Sequence, residues 1–127
     1  MLVIDDEEAI RHSIKLYFEH LGYEVDMAGS VREAADYLVA APYDVVLTDL
    51  RLTQLPGYGG LEIIDFVKNN APDTTTVLLT AYGSEEVERR AAELGVDRMI
   101  AKPLPLSQLA DEIAALLRQR RQRSLGS

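Results

Sequence analysis

Short apolar runs alternate with helical stripes along the whole chain. Leu2-Val3-Ile4 is an apolar run that stops at Asp5-Asp6. Ile10, Ile14, Tyr17, Phe18 and Leu21 then recur at helical spacing, and Gly22 stands where such a helix ends. Tyr23 to Ala28 reads as a strand. Ser30 with Glu33 forms a capping-box signature, opening a helix that carries Val31, Ala34, Ala35 and Leu38 and ends before Pro42. Asp44 to Thr48 is β-branched and apolar, the pattern of a strand buried on both faces, and it ends at Asp49. Residues 50–59 read as a loop. Leu61, Ile64 and Val67 predict a third helix, stopped by Asn69-Asn70 and Pro72. Thr74 to Thr80 predicts a fourth strand. Ser84 with Glu85, Glu86 and Glu88 opens a fourth helix that closes at Leu94-Gly95. Arg98 to Ala101 is a short fifth strand before Lys102-Pro103. Ser107 is expected to cap a last helix bearing Leu109, Ile113, Leu116 and Leu117.

Strands alternating with helices imply a parallel sheet covered on both faces. Five strands joined by right-handed crossovers predict a doubly wound, flavodoxin-like (βα)5 fold in the order 2-1-3-4-5. With 127 residues the chain fits one domain, expected over residues 1–117. Residues 118–127 (RQRRQRSLGS) carry four arginines and no apolar face. They are expected to form a fraying helix end or linker, a basic partner-binding segment, or the joint to an output domain. The first strand begins at the first residue, so a fragment, or a chain lacking a few upstream residues, is expected.

Composition narrows the function. Apolar residues make up 47% and charged residues 27%, as in an ordinary soluble globule. The net charge of -8 argues against a surface that coats nucleic acid. It suits a protein that holds cations or meets basic partners. With no cysteine, disulfides and thiolate chemistry are excluded. No apolar run approaches the roughly 20 residues of a membrane helix, and no signal peptide is visible, so a cytoplasmic location is expected.

In an open parallel sheet, ligands bind beyond the carboxyl ends of the strands, where the winding reverses. In the order 2-1-3-4-5 that crevice lies between strands one and three. Asp5 and Asp6 end the first and Asp49 ends the third. Three close carboxylates repel by roughly a few kcal/mol per pair at an effective dielectric of about 20. They therefore take up protons or hold a cation. Oxygen ligands suit Mg²⁺, or Mn²⁺, and the backbone carbonyl of Arg51 could point into the same site. Thr80 ends strand four and Lys102 ends strand five. Acids, a divalent ion, a hydroxyl and an ammonium are the equipment for handling a phosphoryl group, with Asp49 as nucleophile.

LVIDDEE, VVLTDLRL, VLLTAYGS and IAKPLP, in this order and spacing, resemble the response-regulator receiver domain of two-component signalling over essentially the whole chain. The resemblance implies that Asp49 is the phosphoacceptor for a histidine kinase or phosphotransfer protein. It implies that Asp5, Asp6 and Asp49 bind Mg²⁺ with the Arg51 carbonyl, that Thr80 is the switch hydroxyl, and that Lys102 is the salt-bridge partner. It implies a Lys102-Pro103 bond that is often cis. Phosphorylation would then change the face made by the fourth helix, fifth strand and fifth helix, which meets an output domain or a second receiver. Such a domain is a switch that slowly loses its phosphoryl group, with no nucleic acid or membrane bound by the domain itself.

The chain departs from the family pattern in three places. Met99 stands where the family usually has an aromatic residue, three before the lysine. Tyr82, two after Thr80, could supply a ring nearby. The stretch LTQLPGYGG is longer by three residues than the family spacing, with Gly60 opening the third helix and Gly59 in place of a frequent Asp. Arg51 and Tyr82 flank the expected phosphoryl site and are expected to gate the attacking water.

Taken singly, each feature has a plain explanation. Asp5 and Asp6 can be a helix cap and turn, Asp49 a turn residue, Thr80 a strand end, and a Lys-Pro pair nothing at all. Their joint fall at strand ends is what carries the reading. His12 and His20 have no catalytic neighbour in sequence. Tyr17, Phe18 and Tyr37 read as packing. Two other readings share parts of the pattern. An Asp-nucleophile phosphatase of the haloacid-dehalogenase type wants an acid where Arg51 stands. A pseudo-receiver would be an interaction module with an unused site. A dinucleotide-binding site would need G-x-G-x-x-G after the first strand, which is missing.

Overall fold

The computed structural model describes residues 1–52, 59–81 and 84–126. The elements are β1 (Leu2–Ile4), α1 (Glu8–His20), β2 (Asp26–Ala28), α2 (Val31–Ala40), β3 (Val45–Asp49), α3 (Gly59–Asn70), β4 (Thr75–Thr80), α4 (Glu85–Leu94), β5 (Arg98–Ala101) and α5 (Leu106–Gly126). The five strands are all parallel and lie in the order β2-β1-β3-β4-β5, as the alternation predicts.

Side-chain alternation along each strand feeds two separate cores. Val3, Val45, Leu47, Val77, Leu79 and Ile100 face α1 and α5, where Ile14, Phe18, Leu109, Ile113 and Leu116 meet them. Leu2, Ile4 and Val46 face the other way, toward Ala34 of α2 and Ile63 and Val67 of α3. Leu78 on that second face joins Leu61, Ile64, Val87 and Ala91 of α3 and α4. Phe18 is fully enclosed and stands edge-on to Tyr17 and Tyr23, with ring centroids 6.0 and 5.2 Å away. Burying such a ring stabilises the fold by about 3 kcal/mol. Tyr37 is partly exposed and belongs to neither core.

Local chemistry sets the ends of the helices. The Ser30 side chain accepts the Glu33 N–H at 3.1 Å and the Ser84 side chain accepts the Val87 N–H at 3.2 Å. Gly95 closes α4 in the left-handed region at φ 84°, a conformation that glycine adopts without steric cost. Three boundaries differ from expectation. β2 is shorter, because the register pairs Leu2 with Asp26 and leaves Tyr23–Val25 upstream of the first pair. The third helix starts earlier, at Gly59, because the Gly60 N–H donates to the Leu50 carbonyl at 2.9 Å. Ser107 lies inside the first turn of α5 and does not cap it. The Pro105 carbonyl accepts the first bonds there, from the Gln108 and Leu109 N–H groups at 3.0 and 3.1 Å. The helix α5 then continues without a break across position 118. No helix among the described residues is long and apolar enough to cross a membrane.

Candidate functional site

Parallel strands bring all their carboxyl ends to one edge of the sheet, and β1 and β3 are neighbours there. Asp5 follows β1 directly and is 2% exposed. Its N–H donates to the Ala28 carbonyl at 3.2 Å. Its Oδ1 accepts the Glu7 N–H at 2.9 Å, closing a turn into α1. Its backbone carbonyl accepts from Arg11 Nη1 at 2.7 Å. Its Oδ2 is buried without a hydrogen bond, and Lys102 Nζ stands 3.5 Å away. Asp49 ends β3, where its Oδ1 accepts the Leu50 N–H at 3.0 Å and lies 3.1 Å from Lys102 Nζ. One carboxylate oxygen from each of Asp5, Asp6 and Asp49 lies within 4.8 Å of the others.

The electrostatics of this cluster are unbalanced. Burial pushes the Asp49 carboxyl up, and the nearby charge of Asp5 adds to this, while Lys102 only partly opposes them. Burial works to lower the Lys102 ammonium, but Asp49 and Asp5 together outweigh it and hold it above its ordinary value. Both directions follow from a single ammonium shared between carboxylates in a half-buried place. An all-oxygen set with one buried oxygen that has no hydrogen bond fits a hard divalent cation.

Beside the acids lies a cavity of about 220 Å³, lined by Glu7, Asp49, Leu50, Arg51, Thr80, Ala81 and Lys102. Thr80 reaches it from the end of β4, and the exposed Arg51 borders it from the loop after β3. The peptide bond Lys102-Pro103 is cis. Another cavity of about 280 Å³, between the ends of α2 and α3, is lined by no charged residue. Met99 is partly buried and packs against the apolar cluster that Leu61 and Ile64 of α3 form with Val87 and Ala91 of α4. Tyr82 lies outside the described residues, as do residues 53–58 of the long loop after Asp49.

The structure thus brings together Asp5, Asp6, Asp49, Thr80, Lys102 and Arg51, and places Met99 in β5, packed against the cluster of α3 and α4. Sequence reasoning did not single out Glu7, Arg11 or Gly29. Glu7 follows the acidic pair directly, so proximity would have suggested it. Arg11 stands six residues after Asp5. Its role depends on a long side chain reaching back over the first turn of α1, which no spacing rule marks.

The family description of the response regulator receiver domain matches residues 1–114. The response regulator protein PilR of Pseudomonas aeruginosa is 32% identical over 119 residues, covering 94% of this chain and 26% of PilR. The chain spans between about a quarter and about half the length of the first curated relatives it matches. A response regulator protein from Burkholderia pseudomallei, solved with a phosphorylated aspartic acid, a calcium ion and citrate, superposes with a TM-score of 0.81 at 28% identity, covering 98% of this chain and 70% of that one. TrrA from Thermotoga maritima, in complex with Mg²⁺ and beryllium fluoride, superposes at 0.77, also at 28% identity, covering 91% of this chain and 96% of that one. Sheet order, acidic pocket and sequence agree: the chain belongs to the response regulator receiver domains of two-component systems, which are signalling switches and not turnover enzymes.

Proposed function

We propose that Asp49 accepts a phosphoryl group from the phosphohistidine of a sensor histidine kinase or a phosphotransfer protein in the cytoplasm. A carboxylate oxygen of Asp49 forms the new bond to phosphorus, the bond from phosphorus to the imidazole nitrogen breaks, and that nitrogen leaves with the electron pair and takes up a proton. Asp5, Asp6 and Asp49, with the Arg51 carbonyl, would hold Mg²⁺, or Mn²⁺ in its place. When bound, that ion supplies positive charge to the phosphoryl oxygens. Lys102 neutralises a second oxygen, and Thr80 donates a hydrogen bond to a third. Arg51 at the mouth of the cavity limits the water that later attacks phosphorus. The observation that carries the reading is the trio of carboxylates within 4.8 Å, with the Lys102 ammonium beside two of them, Asp5 and Asp49.

The movement of Thr80 toward the phosphoryl group then alters the face of α4, β5 and α5, with Met99 following Val87 and Ala91. An output domain or a second receiver meets that face. Incubation with Mg²⁺ and acetyl phosphate, read by intact mass, tests the proposal. One phosphoryl adduct per chain is expected, absent in Asp49→Asn. No adduct from any donor or kinase would leave the pseudo-receiver as the correct reading.

A further inference from the structure

We infer that Arg11 is a positioning residue for the acidic centre, and that Gly29 keeps open the space its guanidinium fills. The inference rests on the cation-binding reading above. Asp5 lies one residue past the last paired residue of β1, so its carbonyl sits at the rim of the sheet. Arg11 Nη1 takes up that carbonyl at 2.7 Å from the second turn of α1. The N–H of Asp5 is held by Ala28 and its Oδ1 by the Glu7 N–H. The polar atom left over is Oδ2, buried and without a hydrogen bond, on the side of Asp49 and Lys102. With the Asp5 peptide fixed from both sides, the carboxylate has one direction in which to offer its second oxygen.

Gly29 is the other half of the arrangement. It lies buried between β2 and α2, and a Cβ built on it would stand 2.7 Å from Arg11 Nη1 and 3.3 Å from Cζ. The third-nearest atom, at 3.7 Å, is Nη2 of the same guanidinium, and the φ of Gly29 lies outside the left-handed region. An alanine at this position would therefore displace the guanidinium, the free end of a flexible side chain, and leave the backbone in place. The small residue serves the arginine.

Charge and positioning predict opposite outcomes. As a nearby cation, Arg11 repels Mg²⁺, so removing it would tighten binding. As a positioning group it tightens binding, so removing it would weaken it. The test is titration of Mg²⁺ into the metal-free chain, read by amide shifts of Asp5 and Glu7, with urea midpoints measured on every variant. Arg11→Ala is expected to raise the Mg²⁺ dissociation constant roughly 10-fold, the lower end of what losing a ligand's hydrogen-bonding partner costs. Arg11→Lys should restore part of the loss, and Gly29→Ala should weaken binding while keeping its urea midpoint. In the Arg11→Ala background, Gly29→Ala should add nothing further. Unchanged or tighter binding by Arg11→Ala, or fully additive losses in the double variant, would overturn the inference. A parent chain that bound no Mg²⁺ would overturn the cation-binding reading itself.

Discussion

Gly60 is where backbone packing and Asp49 meet. A Cβ built there would stand 2.2 Å from the Asp49 carbonyl oxygen and 2.9 Å from Leu50 Cα. Both are backbone atoms of the segment that carries Asp49, so neither can rotate aside. Gly60→Ala must therefore push α3 away from the end of β3. The expected cost is about 3 kcal/mol, the upper end for an overpacked core, read from urea unfolding at constant m-value. An unchanged midpoint would show that α3 has room to move. The glycine was legible as a helix opener in the sequence, but its contact with Asp49 was not, because nothing in GLEII reports how closely two backbones pass. The strand-ending acids were easier to find, because an apolar run that stops at a carboxylate marks both the end of a strand and the rim of the sheet. Arg11 and Gly29 stayed hidden for the opposite reason. Their link runs through space, between α1 and the turn before α2.

Among the elements, Asp97 ties three together at the edge of the sheet remote from Asp49. Its Oδ2 accepts the Thr76 N–H of β4 at 2.8 Å and lies 3.2 Å from Lys68 Nζ of α3 and 3.5 Å from Arg120 Nη2 of α5. Arg120 also donates to the carbonyls of Pro72 and Asp73. Burial works against the ionised Asp97, but the Thr76 N–H and hydroxyl and the Lys68 ammonium outweigh it and hold the carboxyl below its ordinary value. A carboxyl lowered by folding gives stability that is complete above its unfolded value and is lost as pH falls through the folded one. Asp97→Asn is therefore expected to cost about 2 kcal/mol at pH 7, the worth of hydrogen bonds to a charged group. The gap to the parent should close below about pH 4, where the unfolded carboxyl takes up its proton. Parallel urea curves from pH 7 to pH 3 would check this, and a gap constant over that range would contradict it. The order of the elements was plain from alternation alone, since a strand period and a helix period differ over even short windows. The course of α5 past Leu117 was not. Arg118–Arg123 carries no apolar stripe, and the contact that fixes Arg120 comes from the turn after α3 and from Asp97, far away in sequence.

At the scale of the whole molecule, the carboxylate trio is an expense of folding that a bound dication would remove. The chain carries a net charge of -8, and three of its acids converge on one rim of the sheet with a single ammonium between two of them. A ligand that binds only the folded state stabilises it by RT ln(1 + [L]/Kd), about 2.7 kcal/mol at a hundredfold excess over Kd. For a domain of this size that corresponds to a rise in Tm of roughly 10 °C. Potassium chloride at the same ionic strength screens the acids without entering the site, so its effect should be far smaller. Asp5→Asn removes the most deeply buried of the three charges, so its Tm without metal should match or exceed that of the parent, while the response to Mg²⁺ should largely vanish. Thermal melts of both chains in EDTA, in Mg²⁺ and in potassium chloride separate a specific site from general screening. An equal Mg²⁺-dependent rise in both would mean that the ion stabilises the fold from elsewhere on its acidic surface.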